Sequence, residues 1–155
     1  AVKGNERGVT VACLLAWLLF FPNAPYIVTD LIHLRYRAPV PLWYDALLIF
    51  ATAFTGLTAG MYSVLLVYNK PKELLSKRKA KAVIMAAMIL SGYGIYMGRF
   101  LRWNSWDVFV SPCSIMADTY NQMYCARTYG VTLITGLMLY LTFLVFDELT
   151  QTGKE

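Results

Sequence analysis

Phe20 to Leu34 reads FFPNAPYIVTDLIHL, and the fold turns on how that stretch is read. It lies inside an apolar run, yet it holds Pro22, Asn23, Pro25, Thr29, Asp30 and His33. Proline in a helix interior removes a backbone donor and presses on the preceding turn. In lipid, a broken helix persists only where neighbouring protein or trapped water satisfies the freed backbone groups. The stretch therefore predicts a membrane helix that is kinked or broken at PNAP and packed against other helices. Two forms are open. One is a simple proline kink. In the other, Asn23 caps a second half-helix beginning near Pro25, with its partly positive start in or near the membrane.

Composition supports a membrane setting for the whole chain. Of 155 residues, 58% are hydrophobic and 15% charged, and mean hydropathy is +0.50. Soluble domains have about 45–50% apolar and about 25% charged residues. A single polytopic membrane domain over 1–155 is expected, not a soluble one. The net charge of +5 comes from lysines clustered between apolar runs, which speaks against a nucleic-acid partner. Nothing at the start of the chain resembles a signal peptide. Cys13, Cys113 and Cys125 have no CxxC or Cys/His spacing, so no metal site is expected.

A span needs about 20 apolar residues. The first runs over about 8–34 and needs the part beyond the break to be long enough. The second covers about 42–68, opens with Trp43 and Tyr44 at the interface, and contains Gly56 and Gly60 at small-xxx-small spacing. A basic linker over 69–81 leads to the third, about 82–100, with Gly94 and Gly98 at the same spacing. In the interfacial segment 101–127, Arg99 and Arg102, and likewise Trp103 and Trp106, are three apart and are expected to share helix faces. Ser111-Pro112 is a good helix start, and a short interfacial helix follows to about Tyr124, turning Ile115, Met116, Thr119, Tyr120 and Met123 toward apolar material. The fourth span covers about 128–146, and a polar tail follows.

Four spans put both termini on one side. Every lysine falls there, while the other side carries only Arg35, Arg37, Arg99, Arg102 and Arg127. The positive-inside rule then places both termini on the cytoplasmic or equivalent side. The membrane is expected to be a bacterial inner membrane, or an organellar one of bacterial origin such as a thylakoid or mitochondrial inner membrane. Arginine suits multidentate contacts, and lysine suits solvated loops.

Three segments carry a resemblance: WLLFFPNAPYIVTDLIHL from Trp17, PLWYD from Pro41 and GYGIYMGRFLRWNSWD from Gly92. In this order they resemble the signature segments of the multi-pass bacterial membrane proteins called domain-of-unknown-function family 1361, over roughly 17–146. The resemblance implies a fold of packed membrane helices and no established activity.

The expected topology brings Asp30, His33, Asp45, Arg99, Arg102, Asn104 and Asp107 into one layer, with Asp118 also on that side. Three readings stand. The first is an ion-pair network that neutralises buried charge and fixes helix register. In the second, Arg99 and Arg102 hold a lipid phosphate, with Asn104, Asp107, Asn23 and His33 as further binding candidates. The third is catalytic: His33 is a general base oriented by Asp30 or Asp45. His33, the only histidine, is otherwise structural, or it ligates a pigment magnesium or haem iron. On one continuous helix Cys113 and Cys125 would be about 18 Å apart, too far to bridge; free thiols are expected unless the helix ends first. The function this supports is a non-catalytic accessory or structural subunit of a larger membrane complex, with other membrane subunits as partners, holding lipid or pigment at this outer-face Arg/Asp/His cluster. The alternative is a membrane enzyme or carrier acting on an anionic, phosphorylated lipid.

Overall fold

Four apolar runs become helices long enough to cross a membrane: Gly8–Ile32, Leu42–Asn69, Lys77–Leu101 and Ala126–Thr152. The computed structural model describes residues 2–35, 39, 41–74 and 76–152, with side chains except at 2–7, 33 and 70–74. Among these residues all regular structure is helical: α1 (Val2–Phe20), α2 (Asn23–Tyr26), a 3₁₀ segment (Ile27–His33), α3 (Leu42–Leu74), α4 (Lys77–Leu101), α5 (Asp107–Val110), α6 (Pro112–Gln122) and α7 (Ala126–Thr152). By length and composition the chain is an all-α integral membrane protein. Its first span comprises α1, α2 and the 3₁₀ segment.

Two boundaries differ from expectation. The basic stretch 69–81 is mostly helix, because α3 continues to Leu74 and α4 starts at Lys77. Its Lys, Arg, Glu, Leu and Ala residues favour helix. Ser76 opens α4 in an extended N-cap conformation (φ −62°, ψ 150°). The last helix runs on to Thr152, so Asp147 belongs to it instead of to a polar tail.

At the PNAP break the backbone stays right-handed helical (Pro22 φ −57°, ψ −22°; Ile27 φ −60°, ψ −25°). The chain changes pitch without reversing. Ala24 N–H turns to the Phe21 carbonyl and Tyr26 N–H to that of Pro22, both at 3.0 Å. The capping role expected of Asn23 is not found: no side-chain cap forms at the start of α2, and its amide donates to Ser105 Oγ at 3.2 Å.

Both small-residue pairs close on this break. A methyl group on Gly56 would stand 3.0 Å from the Ala24 carbonyl oxygen, and one on Gly60 would stand 3.1 Å from Ala24 Cβ. From the other side, one on Gly94 would meet Pro22 Cγ at 3.0 Å and one on Gly98 the Tyr26 ring at 3.1 Å. The interrupted segment is thus gripped between α3 and α4. Trp17 fastens it further by donating from Nε1 to Ser63 Oγ at 3.1 Å and stacking on Phe21.

The α4–α7 pair is closer still. A Cβ on Gly92 would lie 2.5 Å from the Thr132 carbonyl oxygen, and one on Gly136 would lie 2.6 Å from Ile89 Cα. Toward the termini, Met61, Val64, Tyr68, Ile84, Met88 and Phe143 are fully buried, with Tyr68 edge-on to Phe143. Asp147 is buried there. Its Oδ1 accepts from Gln151 Nε2 at 2.8 Å, and its Oδ2 lies 3.3 Å from Lys81 Nζ without hydrogen-bond geometry.

Candidate functional site

The polar residues of the three signature segments gather at the end of the bundle opposite the termini. Arg99, on the last turn of α4, has a side chain only 13% exposed. Its Nη1 donates to Asp30 Oδ1 at 3.1 Å, its Nη2 to the Thr29 carbonyl, and its guanidinium lies over the Tyr26 ring. A planar fork meeting a carboxylate, a carbonyl and a ring face is arginine's chemistry. It ties the third span to the broken first one.

Arg102 does not join it. The helix ends at Leu101, and Arg102 takes a left-handed backbone (φ 61°, ψ 28°), its N–H and that of Trp103 both directed at the Met97 carbonyl. The helix faces expected for Arg99 with Arg102 and for Trp103 with Trp106 therefore do not form. The Arg102 side chain is exposed and makes no ion pair among the described residues. Trp103 Nε1 donates to Asp118 Oδ2 at 2.9 Å, whereas Trp106 is exposed.

Asp107 serves its own turn. Its Oδ2 accepts from the backbone N–H of Asn104 at 2.7 Å, while Asp107 N–H donates to the Asn104 carbonyl at 3.0 Å. That reciprocal closure presents Ser105, which donates from Oγ to the Leu19 carbonyl at 3.0 Å. Leu19 stands just before the break, so a side chain from a distant loop satisfies a carbonyl at the interruption. Arg127 lies over the Phe100 ring at 4.3 Å. Asp45, in the first turn of α3, makes no ion pair among the described residues. The side chain of His33 lies outside the described residues, and so do the roles expected of it.

Between the break, the end of α4 and the loop before α5 is a cavity of about 240 Å³. Asn23, Tyr26, Tyr93, Trp103, Asn104 and Ser105 contribute to its wall. Ile115 and Thr119 of α6 close it, so that helix, which begins at Pro112 as expected, turns part of its apolar face inward. Met116 and Tyr120 of the same expected face are exposed. Ser111 makes no side-chain cap. Of the sequence candidates, Asn23 and Asn104 line the cavity, Arg99 sits beside it in its ion pair, and Arg102 and Asp107 do not line it.

Tyr93, Trp103 and Ser105 are the site residues that sequence reasoning passed over. Ser105 and Trp103 sit inside a quoted signature segment, but nothing in their spacing pointed to the break or to Asp118. The helix α6 ends at Gln122, before Cys125, and all three cysteines are free. Backbone N–H groups of Arg127 and Thr128 point at the Cys125 sulfur and lower its thiol pKa, with the Thr128 hydroxyl adding to the effect.

A bundle of four membrane-crossing helices, one interrupted and gripped by glycines, defines a multi-pass integral membrane protein. Residues 2–142 match the model of the protein family of unknown function DUF1361, and the chain belongs to that family. No curated protein and no solved structure matches it.

Proposed function

We propose that this protein is a non-catalytic accessory or structural subunit of a larger membrane complex, and that it holds a lipid at the end opposite its termini. The observation that carries this reading is the cavity beside the PNAP break, walled by aromatic rings and uncharged polar side chains. Apolar side chains exposed around α1, Val11 and Leu15 on one side and Val9 on another, leave surface for a partner subunit. Confinement of lysine to the termini end supports placing both termini on the cytoplasmic or equivalent side of a bacterial inner membrane or an organellar membrane of bacterial origin. Native mass spectrometry of the protein extracted from its own membrane in mild detergent tests the reading. Stoichiometric partner subunits and retained lipid are expected; a lone, lipid-free protein overturns it.

One observation favours a second reading, an enzyme or carrier for a phosphorylated lipid. Arg102 holds a left-handed backbone while presenting an exposed guanidinium without an ion pair among the described residues. Such a conformation costs an L-residue roughly 1–2 kcal/mol and is a feature that clusters at functional sites. Asp30, Asp45 and His33 would then supply acid–base groups at the same end. If Arg102→Ala and His33→Ala proteins assemble and fully rescue a deletion, this second reading fails.

A further inference from the structure

The cavity does not stand alone. A groove of about 600 Å³ runs between α4 and α7 under the end of α6, and it shares Tyr93 and Thr119 with the cavity. Those two side chains belong to both walls, so the spaces are neighbours. Ile89, Leu90 and Leu133 make the groove wall almost wholly apolar. At about 600 Å³ it lies within the range of small-molecule sites, whereas the cavity by itself is smaller than most.

Tyr93 and Thr132 line this wall, but Tyr93 Oη and Thr132 Oγ1 lie just beneath it, closed off and without a hydrogen-bond partner among the described residues. A buried hydroxyl left unpaired is costly, which favours a ligand that parts the wall and brings a hydrogen-bonding group to it. The charge pattern narrows the ligand further. The cavity wall offers amides, a serine hydroxyl and aromatic rings, and among the described residues no cation lines either space. Arg99 is occupied by Asp30 and the Thr29 carbonyl. A phosphate buried there would have no counter-charge, and an unpaired charge out of water is far costlier than a neutral polar group.

We infer that the combined site takes an uncharged amphiphile. Its hydroxyl- and carbonyl-bearing head sits among Asn23, Asn104 and Ser105, its hydrocarbon chain lies in the α4–α7 groove, and Tyr93 marks the junction. This deepens the lipid-holding reading above and rests on it.

Dioleoylglycerol and dioleoylphosphatidate share their chains and differ in the phosphate, so they separate head-group chemistry from chain burial. Binding of each to the purified full chain in detergent is measured by native mass spectrometry titration. Dioleoylglycerol is expected to bind at least tenfold more tightly. Leu133→Trp and Leu90→Trp, at groove positions that are about half exposed and so tolerate bulk, are each expected to weaken it tenfold or more. Tyr93→Phe, which keeps the ring, is expected to weaken it several-fold. Equal or tighter binding of dioleoylphosphatidate overturns the uncharged class. If Arg102→Ala then abolishes that binding, the phosphorylated-lipid reading gains instead. Dioleoylglycerol binding that neither tryptophan variant weakens overturns the groove. Loss of both ligands, together with a lipid-free protein from the native membrane, overturns the lipid-holding reading itself.

Discussion

Replacing Arg99 by lysine separates charge from geometry. A single ammonium cannot serve the Asp30 carboxylate and the Thr29 carbonyl as the guanidinium fork does. Hydrogen bonds to charged groups contribute about 1.5–3 kcal/mol, and partial exposure of Asp30 places this one toward the low end. Arg99→Lys is expected to lower the melting temperature in detergent, and Arg99→Ala to lower it more. Adding Asp30→Ala to Arg99→Ala should then do little further harm, as a double-mutant cycle reports for coupled partners. Strictly additive losses would mean that the pair is not coupled. The pairing itself was illegible in the sequence, which places five arginines and four aspartates at one end without saying which meet. Asp107 and Asp118 look like further ion-pair partners on paper, but backbone geometry gives one to Asn104 and the other to Trp103. Cys125 supports a pH prediction at the same scale. Because its thiol pKa is lowered, its thiolate forms at lower pH than that of an ordinary thiol. With Cys125 as the single cysteine, the pH midpoint of iodoacetamide alkylation should lie lower than that of the model thiol N-acetylcysteine amide. Thr128→Val, which removes the hydroxyl but keeps the backbone N–H groups, should narrow the gap without closing it. Coincident midpoints would refute the assignment.

At the scale of elements, glycine decides how near the helices come. The spacings Gly56/Gly60 and Gly94/Gly98 announce close packing in the sequence, but not that both pairs close on the same segment. That depends on the relative rotation of three helices, which no local spacing encodes. Thr132 and Gly136 have the same small-xxx-small spacing on α7, a legible signal for the α4–α7 contact. Gly92→Ala would push a methyl group into the backbone of α7, against atoms that cannot rotate away. Overpacking costs about 1–3 kcal/mol, and backbone contact places this variant at the upper end. Gly130→Ala, on the same helix as Gly136, meets nothing within 4 Å. It should stabilise the protein by roughly 0.5–1 kcal/mol through helix propensity. Thermal unfolding of the two variants side by side gives the sign directly. Equal effects would refute an α4–α7 contact of this closeness.

For the whole molecule, the two ends of the bundle are fastened differently. The end opposite the termini is held by the gripped break and the Arg99–Asp30 ion pair, which is partly open to its surroundings. The termini end is held by Lys81 and Asp147, joining the third span to the fourth beside the buried Tyr68 and Phe143. The number of spans and the shared side of the termini follow from hydropathy and charge, and the structure agrees on four helices of sufficient length. This second fastening was hidden because both residues sit at the margins of apolar runs, where charge reads as loop. Only continuation of α4 and α7 past those margins brings them together. Asp147 is 3% exposed, while the Lys81 side chain keeps 34% of its surface open. Removing Lys81 therefore leaves the more deeply buried charge uncompensated. Breaking a buried pair costs about 3–5 kcal/mol, and the openness of the lysine discounts this one to roughly 2–3 kcal/mol. Replacing both residues by apolar groups of similar volume removes the desolvation penalty along with the attraction and is often neutral or stabilising. Lys81→Ala should thus lower the melting temperature markedly, and Lys81→Met/Asp147→Leu should recover most of the loss. A double variant no more stable than Lys81→Ala would mean that Asp147 holds the bundle through Gln151 and its other neighbours, and that the ion pair contributes little.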